Sequence, residues 1–460
     1  MNKLQSWTVP KIIYTVLMSS LLLGYMIVIA TYKDSTTTGQ SYNLPIYFWV
    51  LRIITAISAI FLGKLWKDKG FLILITYLLL KAVRVAADNP AFLFNQGVSE
   101  ILLTGFWVFS ACYGLAKVLE KDQLKKFLSI NTAIWTMGMV IYSCLGIYAA
   151  WTGKYIYNMG QGSYWGIKDQ RLFLVYYVTT SGSVLSVSAV ISCIGIFMAE
   201  HRLNKALFGV SMIPMLVAVS LTDSRNAQIC IAIGISLSVG ITLYRYCIKR
   251  NKKEKGWNVL LRIIVVSGVV FILVVIICTK TISVFNHYKK TGLLFTRAYA
   301  EVENDTEVLN RGFSGNDIFT GRFLIWKATL QKILSDSRYL IWGSSVINPM
   351  KDVTVPNMPW LNSSSHAHCM PLMVLLENGI VGFALLSAFF IMIIHRGLQI
   401  VLKKSLKMES LVLTLVISVA AGELVECFTW LRSGQAPTLP FFFLALGIIA
   451  AAGGQEEKQK

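Results

Sequence analysis

The sequence predicts an all-α integral membrane protein of about twelve transmembrane helices with one large extracytoplasmic loop. Hydrophobic residues make up 55% of the 460 residues and charged residues only 14%, whereas a water-soluble domain carries about a quarter charged residues. The apolar residues come in blocks of roughly 20, which is long enough to cross a hydrocarbon core of about 30 Å. A single long polar segment, 281–368, interrupts these blocks.

The apolar blocks define twelve predicted spans in chain order. They are 12–31, 46–66, 70–87, 98–118, 128–151, 175–198, 205–221, 224–246, 259–279, 370–396, 408–430 and 435–452. The first lacks the short core and small-residue cleavage site of a removable signal peptide, so we expect it to stay as an anchor. Since the chain shows no internal repeat and no separate soluble segment, we predict one polytopic domain over 1–460.

The net charge of +20 is explained by membrane topology. With the N-terminus inside, more than half of the 43 Lys and Arg residues fall in short cytoplasmic connections. An example is the cluster of Lys64, Lys67 and Lys69 after the second span. This is the positive-inside pattern, so the basic charge does not call for a nucleic-acid partner.

Two predicted outer loops are long enough to hold a site, 152–174 and 281–368, because most connections are much shorter. Within the second, residues 321–334 have the pattern of a helix that Thr320 can cap. An apolar stripe at helical spacing predicts the face that meets the membrane or neighbouring helices. It consists of Phe323, Trp326, Leu330, Ile333 and Leu334.

Three arginines are predicted at the outer surface. Arg225 follows a tight turn from Leu221, Arg171 precedes the sixth span, and Arg322 opens the loop helix. Forked guanidinium groups suit an anionic diphosphate, because they bind phosphate oxygens in pairs and stay charged. The alternative is that each arginine reaches lipid headgroups.

His366 and His368 stand where the long loop re-enters the membrane, in a polar Ser-rich stretch. A neutral imidazole there can accept a proton from a sugar hydroxyl, and the alternative is interfacial packing. The H-x-H spacing also suits a metal, but two ligands make an incomplete site. We therefore predict no metal and no cofactor.

Charged residues inside the spans are costly and hence informative. Lys81 and Arg84 share a helical face in the third span, Arg52 lies in the second, and Glu423 and Glu426 share a face in the eleventh. The simplest interpretation is an ion-pair network lining a polar cavity. Lys81 and Arg84 are then candidate substrate-binding residues, and a purely structural role is the alternative.

Residues from about 170 to 385 resemble the O-antigen ligase and polymerase family. The stretch from His368 through Glu377-Asn378-Gly379 to Gly382 is similar to its signature, although Cys369 stands where Asn is common. The family's loop motif and its short Gly-containing turn resemble Thr320-Gly321-Arg322 with Trp326, and Trp342-Gly343.

The turn from Leu221 to Arg225 is similar to the family's Ser-Arg turn, with Asn226 where a small Gly is frequent. Arg171 resembles a further arginine of the family, and Arg171 with Gly182 fits its R-x10-G spacing.

The resemblance implies a GT-C-like, metal-independent, inverting glycosyltransferase in the bacterial cytoplasmic membrane, with its site on the extracytoplasmic side. The implied donor is a glycan on a polyprenyl diphosphate. Arg225, Arg322 and Arg171 would clamp the diphosphate, and His368, rather than His366, would take the proton of the acceptor hydroxyl. We take Glu377 as structural or cavity-lining, since it lies about 13 Å along the helix from His368.

The acceptor separates two enzymes. A growing repeat-unit chain would make the protein a surface-polysaccharide polymerase, which we favour because two loops suit two extended glycans, and a lipid A core would make it an O-antigen ligase. In another class, a lipid-linked oligosaccharide flippase or transporter would also have twelve spans and buried charges, and a membrane scaffold is a further alternative.

Overall fold

The computed structural model describes fourteen stretches of the chain, which together hold its helices and a small sheet. They are 7–31, 46–94, 96–154, 156–157, 164–168, 170–174, 178–250, 256–291, 322–344, 349–350, 353–354, 367–402, 407–424 and 438–454. Since helices account for nearly all of these residues, the predicted all-α class is confirmed at that level.

The first half of the chain forms seven α-helices and one π-helical segment. These are α1 (Val9–Thr31), α2 (Ile46–Gly63), α3 (Lys69–Asp88), α4 (Gln96–Trp107), the π segment Val108–Cys112, α5 (Tyr113–Val118), α6 (Lys121–Thr152) and α7 (Val178–Met198). Two short 3-10 helices, Leu65–Lys67 and Pro90–Phe94, lie on either side of α3.

The second half contributes eight more helices. These are α8 (Arg202–Leu221), α9 (Arg225–Arg250), α10 (Gly256–Thr291), α11 (Arg322–Leu334), α12 (Ser337–Trp342), α13 (Met370–Leu402), α14 (Lys407–Glu423) and α15 (Leu439–Gly454).

A helix lies at each of the twelve predicted spans. Among the described residues, nine helices are long and apolar enough to cross a membrane, and Tyr47–Gly63 and Leu439–Ala452 are shorter apolar helices. A multi-pass membrane protein is therefore confirmed. The count of twelve spans, the single domain over 1–460 and the extent of the loop 281–368 stay predictions.

Helix α7 is the most buried of the candidate spans, and it packs against α6, α8, α9 and α14. Several of its buried residues are serines, and such small side chains let neighbouring membrane helices approach closely. One of them, Ser188, accepts a hydrogen bond from the indole of Trp135 on α6 at 2.9 Å.

Ion pairs gather the predicted cytoplasmic segments at one end of the helices. Lys117 pairs with Asp68, Lys121 with Glu409 and Lys125 with Glu200. These contacts join the connections after α2, α5, α7 and α13, all of which the charge pattern assigns to the same side. The helix ends near Arg171, Arg225 and His368 lie at the other end.

Helix α10 is much longer than the predicted span 259–279, since it runs from Gly256 to Thr291. At 1.5 Å per residue its 36 residues extend about 54 Å, well beyond a hydrocarbon core of about 30 Å. Its last turns pack beside the end of α6, where Lys289 donates to the carbonyl of Ala150 at 3.0 Å. Residues 281–291, the first part of the predicted loop 281–368, thus lie in this helix.

A three-stranded antiparallel sheet, which the sequence analysis did not predict, occupies the segment after α6. Its strands are β1 (Ile156–Tyr157), β2 (Tyr164–Lys168) and β3 (Arg171–Leu174), in that order. Leu172 and Leu174 of β3 are buried and lie against Gly146 of α6. Because side chains alternate along a strand, Arg171 lies on the opposite face of β3.

Candidate active site

The turn between α8 and α9 presents Arg225 as the first residue of a 26-residue helix. Helix α8 ends at Leu221, and Asp223 takes a left-handed backbone conformation with φ 47°. This reversal directs the chain into α9, whose N-terminal end carries the positive pole of the helix dipole. A helix N-terminus with an arginine is suited to an anion.

Arg171 is bound to this same turn. Its Nε donates to the carbonyl of Thr222 and its Nη2 to the carbonyl of Asp223, each at 3.0 Å. Gly182 of α7 also lies against the turn, since a Cβ there would come within about 3 Å of Ser224 and Ala227. Arg171 and Gly182, which have the R-x10-G spacing, therefore both contact the turn between α8 and α9.

Helix α11, which begins with Arg322, is docked beside His368. The indole Nε1 of Trp326 donates to the carbonyl of Ala367 at 3.0 Å. Residues four apart share a helical face, so Arg322 lies on the face of α11 that meets this turn. The contact explains why Trp326 stands at its spacing from Arg322.

His368 itself has φ 50°, a left-handed conformation that is uncommon for residues other than glycine. It is partly buried, and it stands two residues before α13 begins at Met370. The preceding Ala367 is fully buried. His368 therefore lies in a tight backbone turn, between the buried Ala367 and the first residue of α13.

Glu423, the last residue of α14, is buried and lies near the His368 turn. Burial raises the pKa of the Cys369 thiol, the N–H of Leu372 opposes this, and the negative charge of Glu423 raises it further. The same carboxylate interacts electrostatically with Cys230 on α9. Glu423 therefore lies between the helix that starts at Arg225 and the turn that holds His368.

Helix α14 runs antiparallel along α9 through polar contacts. Ser418 Oγ donates to the carbonyl of Cys230 at 2.6 Å, and the hydroxyls of Ser238 and Thr414 are 2.8 Å apart. The seam between the two helices continues toward Arg225 on one side and Glu423 on the other. Together with the Trp326 contact, it brings the Arg225, Arg322 and His368 segments to one region.

Helix α13 is broken at Gly379, within the predicted signature. Gly379 has φ 59° and Gly343 has φ 83°, and a Cβ on either would collide with the backbone of the other segment. The backbone N–H of Ser344, just after α12, donates to the carbonyl of Leu376 at 2.8 Å. The short Gly-containing turn is thus a backbone-to-backbone contact between the loop helices and α13.

A buried ion pair lies beside this break. Lys81 Nζ is 2.7 Å from Glu377 Oε2, and both side chains are almost fully buried. One residue along, the Asn378 amide donates to Tyr77 Oη at 3.0 Å. Glu377 therefore has an ion-pair partner on α3, and its predicted role, structural or cavity-lining, stays a prediction.

The intramembrane cations that the sequence analysis named form ion pairs with acidic residues that it did not name as their partners. The structure pairs Lys81 with Glu377, Arg84 with Asp88 at 3.6 Å, and Arg52 with Glu100 at 4.0 Å. The Lys81 and Arg52 pairs form because α3 packs against α13 and α2 against α4, which the sequence did not indicate, whereas Arg84 and Asp88 are one turn apart on α3. Glu426 lies outside the described residues.

Arg52 sits in a fully buried polar and aromatic site rather than in a cavity with Lys81. Its guanidinium donates to Tyr25 Oη at 2.7 Å and to Thr104 Oγ1 at 3.0 Å. The ring of Phe48 lies 4.9 Å from the guanidinium carbon.

Only part of the predicted apolar stripe of α11 packs on protein, since Ile333 is buried and Trp326 contacts Ala367 whereas the other three residues are exposed. Phe323, Leu330 and Leu334 are 40–68% exposed, whereas the buried residues are Ile325, Ala328, Thr329 and Ile333. Of the two locations that we named, neighbouring helices are therefore wrong for these three residues, and the membrane face stays a prediction.

Several predicted residues lie outside the described part of the chain, namely His366, Thr320 and Gly321 together with most of the loop. Within the described residues, no group of three or more His, Cys, Asp or Glu side chains is placed to hold a metal ion. Arg84 lies at the margin of the α12–α13 contact, with its guanidinium 3.5 Å from the carbonyl of Gly343.

A cavity of about 500 Å³ lies far from these residues, between α6, α7, α8 and α15. Its walls are mainly apolar, and Lys125, Lys126 and Glu200 line its polar end. Because Lys125 and Glu200 belong to the opposite end of the bundle, this cavity is not part of the candidate site.

Two features of the site were missed by sequence reasoning. Trp326 was named as a member of the apolar stripe and of the family's loop motif, but its indole N–H, a donor that a buried tryptophan normally satisfies, was not considered. Glu423 was grouped with the other intramembrane charges, although its place in the outer half of its span, on the side of the loop re-entry, was a signal for the site.

Comparison with known proteins gives one family match, which covers part of the chain. Residues 210–387 match a family model described as O-antigen ligase, and no curated protein matches the chain. The matched region begins within α8 and includes Arg225, Arg322, His368 and the break at Gly379. It confirms, for residues 210–387, the resemblance to the O-antigen ligase family that the sequence predicted.

Proposed function

We propose that this protein transfers a glycan from a polyprenyl diphosphate to an acceptor hydroxyl at the extracytoplasmic face of the bacterial cytoplasmic membrane. The observation that carries the proposal is the hydrogen bond from Trp326 to Ala367. It docks the helix that begins with Arg322 next to His368, so a group suited to diphosphate and a group suited to proton transfer lie in one region.

In the proposed reaction, the acceptor oxygen attacks the anomeric carbon while His368 accepts its proton. The bond from the anomeric carbon to the diphosphate oxygen breaks in the same displacement, which inverts the configuration. Arg225 and Arg322 bind the diphosphate and stabilise the negative charge that develops on it. The N-terminus of α9 adds a favourable dipole beside Arg225.

Arg171 takes part through the turn that precedes Arg225. Two of its donors bind the carbonyls of Thr222 and Asp223, which supports a role in positioning Arg225. That Arg171 also contacts the diphosphate is a separate proposal. Lys81 and Arg84 are proposed to act at the border of the site, where they support the α12–α13 contact. His366 is proposed to bind substrate.

Metal independence follows from the same chemistry. Diphosphate is a good leaving group, and guanidinium groups can supply the positive charge that a divalent ion would otherwise supply. Transfer is therefore expected to continue in excess EDTA. Loss of transfer that magnesium or manganese restores would contradict this assignment.

We favour a polymerase of surface-polysaccharide repeat units, because the two extramembrane segments around Arg171 and Arg322 suit two extended glycans. An O-antigen ligase is the second candidate, favoured by the description of the matching family. Mass analysis of cell-surface glycans from a deletion strain separates them. Single short repeats on the acceptor indicate a polymerase, and lipid-linked polymer that never reaches its acceptor indicates a ligase.

The central experiment compares His368→Ala with His366→Ala in transfer from a purified lipid-linked donor. Loss of a general base is expected to lower turnover by about 10²–10⁴-fold with donor binding nearly intact, and His366→Ala should cost much less. Arg225→Lys and Arg322→Lys should weaken both binding and turnover, because an ammonium cannot reproduce the fork of a guanidinium.

The same experiment can reject the proposal. If both histidine variants retain wild-type transfer and remain folded, His is not the base and a flippase or transporter becomes the better interpretation. A dead His366→Ala with an active His368→Ala would instead move the base by two residues.

A further inference from the structure

Asn226 is a buried polar residue whose hydrogen-bonding groups the fold leaves unused. Its side chain is 3% exposed. Within the described part of the chain, neither its amide nitrogen nor its amide oxygen has a hydrogen-bond partner. Burying both groups of a carboxamide without partners is unfavourable, so native proteins rarely do so without a reason.

The direction of the side chain follows from its place in α9. Asn226 is the second residue of this helix, and helical side chains lean toward the N-terminus. The carboxamide is therefore directed toward the turn that carries Arg225. It also lies one turn before Cys230 on the face of α9 that contacts α14.

This position is between the two segments of the candidate site. The α9–α14 seam leads from the Cys230–Ser418 contact toward Asn226 on one helix and Glu423 on the other. The Glu423 charge also reaches Cys369, next to His368. Asn226 thus lies beside the arginine proposed to bind the diphosphate, on the side that faces the proposed base.

The donor and acceptor groups of a carboxamide limit the classes of ligand that can bind to it. A diphosphate offers only acceptors and would use only the amide nitrogen, and a polyprenyl chain would use neither group. A sugar hydroxyl or acetamido group both donates and accepts, so it can satisfy both unused atoms. The sugar is also attached directly to the diphosphate that Arg225 is proposed to bind.

We propose that Asn226 binds the glycan of the lipid-linked donor, at a hydroxyl or acetamido group near the sugar–diphosphate linkage. This inference rests on the proposed function and deepens it, since it makes Asn226 a specificity-determining residue for the sugar next to the carrier.

The test measures the binding of two probes to the purified protein. One is polyprenyl diphosphate without a glycan, and the other is the native lipid-linked glycan extracted from a strain in which the gene is deleted. Asn226→Leu should weaken binding of the glycan-bearing probe about 3- to 10-fold, which corresponds to one or two net hydrogen bonds. Binding of the bare carrier should be unchanged.

Asn226→Ala is measured in parallel, in case leucine disturbs packing, and Asn131→Leu is the matched control. Asn131 is another buried asparagine, but its amide donates to Ser19 and to the carbonyl of Phe127 within α1 and α6. Its loss is expected to affect stability and to leave the ratio of the two affinities unchanged.

Two outcomes would overturn the inference while leaving the proposed function intact. Equal weakening of both probes would make Asn226 a diphosphate ligand, and unchanged binding of both by folded Asn226→Ala would make its partner a buried water. If the wild-type protein does not bind the glycan-bearing probe, the proposed function fails and the inference fails with it.

Discussion

His368 and Asp223 both hold left-handed backbone conformations although neither is glycine. Such conformations cost about 1–3 kcal/mol each and persist only where the surroundings enforce them. Here Arg171 binds the carbonyl of Asp223, and Trp326 binds the carbonyl of the residue before His368. At both turns, a strained backbone conformation is thus held by a hydrogen bond from another element, which is typical of functional sites.

The hydrogen bond from Trp326 to Ala367 gives a prediction about the loss of a single donor group. Trp326→Phe removes the indole N–H and keeps an aromatic ring in place. We expect turnover to fall by at least about tenfold, because a small displacement of Arg322 relative to His368 disturbs the reacting geometry. The free energy of unfolding should change by only about 1 kcal/mol.

The matched control is Trp342→Phe on α12, since Trp342 is 46% exposed. This variant should retain near wild-type turnover. Wild-type turnover in Trp326→Phe would show that the bond does not position α11.

Asp68, in the connection before α3, gives a prediction about pH. Burial alone would raise the pKa of its carboxyl. The hydrogen bond and charge of Lys117, with the N–H of Phe71 and the hydroxyl of Tyr113, outweigh burial and hold the pKa below its ordinary value of 3.8. Because the folded pKa is depressed, the stabilisation is complete above that value and is lost as the pH falls through the folded pKa.

The unfolding temperature of the wild-type protein is therefore expected to fall more steeply below about pH 4 than that of Asp68→Asn. Asp122→Asn, at an exposed position in the first turn of α6, serves as the control and should follow the wild-type curve. Parallel curves for Asp68→Asn and the wild type would contradict the assignment.

Single residues also show where sequence reasoning reaches its limit. That Arg225 and Arg322 stand at helix starts could be predicted from the sequence, and their location on the outer side stays a prediction. The partners of Lys81 and Arg52 could not be predicted, because Glu377 is 296 positions from Lys81 and only the packing of helices brings the two together. Charge and spacing predict that a buried cation is paired, and the fold decides with which residue.

At the scale of elements, the sequence likewise predicts that a helix forms but not which neighbours it packs against. Residues 322–334 were correctly predicted as a helix from their periodicity. Their buried face was predicted only in part, at Ile333, because Ile325 and Ala328 are also apolar and lie at helical spacing from it. A helix with apolar residues on two faces gives no indication of which face meets protein. The β-strands were missed because residues 156–174 are few and lack a clear alternation.

The glycine contact between α12 and α13 gives a prediction about stability. Gly343→Ala and Gly379→Ala each place a Cβ against backbone atoms at a positive φ. We expect each to lower the free energy of unfolding by about 2–4 kcal/mol, seen as a lower unfolding temperature in detergent.

Gly268→Ala on α10 provides the matched comparison, because a Cβ there meets no atom within 4 Å. In an ordinary helical position this change gains up to about 1 kcal/mol. Equal unfolding temperatures for Gly268→Ala and Gly379→Ala would mean that the break in α13 can relax.

On the scale of the whole molecule, the positions of the helices could be predicted because membrane thickness sets their length. Their neighbours could not, since lipid and apolar side chains are equally suitable partners for a hydrophobic face. The side of the membrane was inferred from the positive-inside pattern. The ion pairs of Lys117, Lys121 and Lys125 support that grouping by placing these residues at one end.

Labelling of single cysteines, introduced into a variant without native cysteines, tests this orientation. In intact cells an impermeant maleimide should label positions in 152–174 and in 292–368 and should not label positions in 249–256, which should react only after permeabilisation. If positions in 300–340 react only after permeabilisation, the orientation is reversed and the candidate site would lie in the cytoplasm.

The contact of Gly343 with Gly379 has a consequence for how such proteins diverge. The atoms that meet are main-chain atoms of both segments, so the fit does not depend on the identity of the surrounding side chains. Substitutions elsewhere in α12 and α13 can accumulate without compensating changes across this contact. Relatives of this chain are therefore expected to share the two glycines and the relative placement of loop and helix, even after the neighbouring positions have lost all similarity.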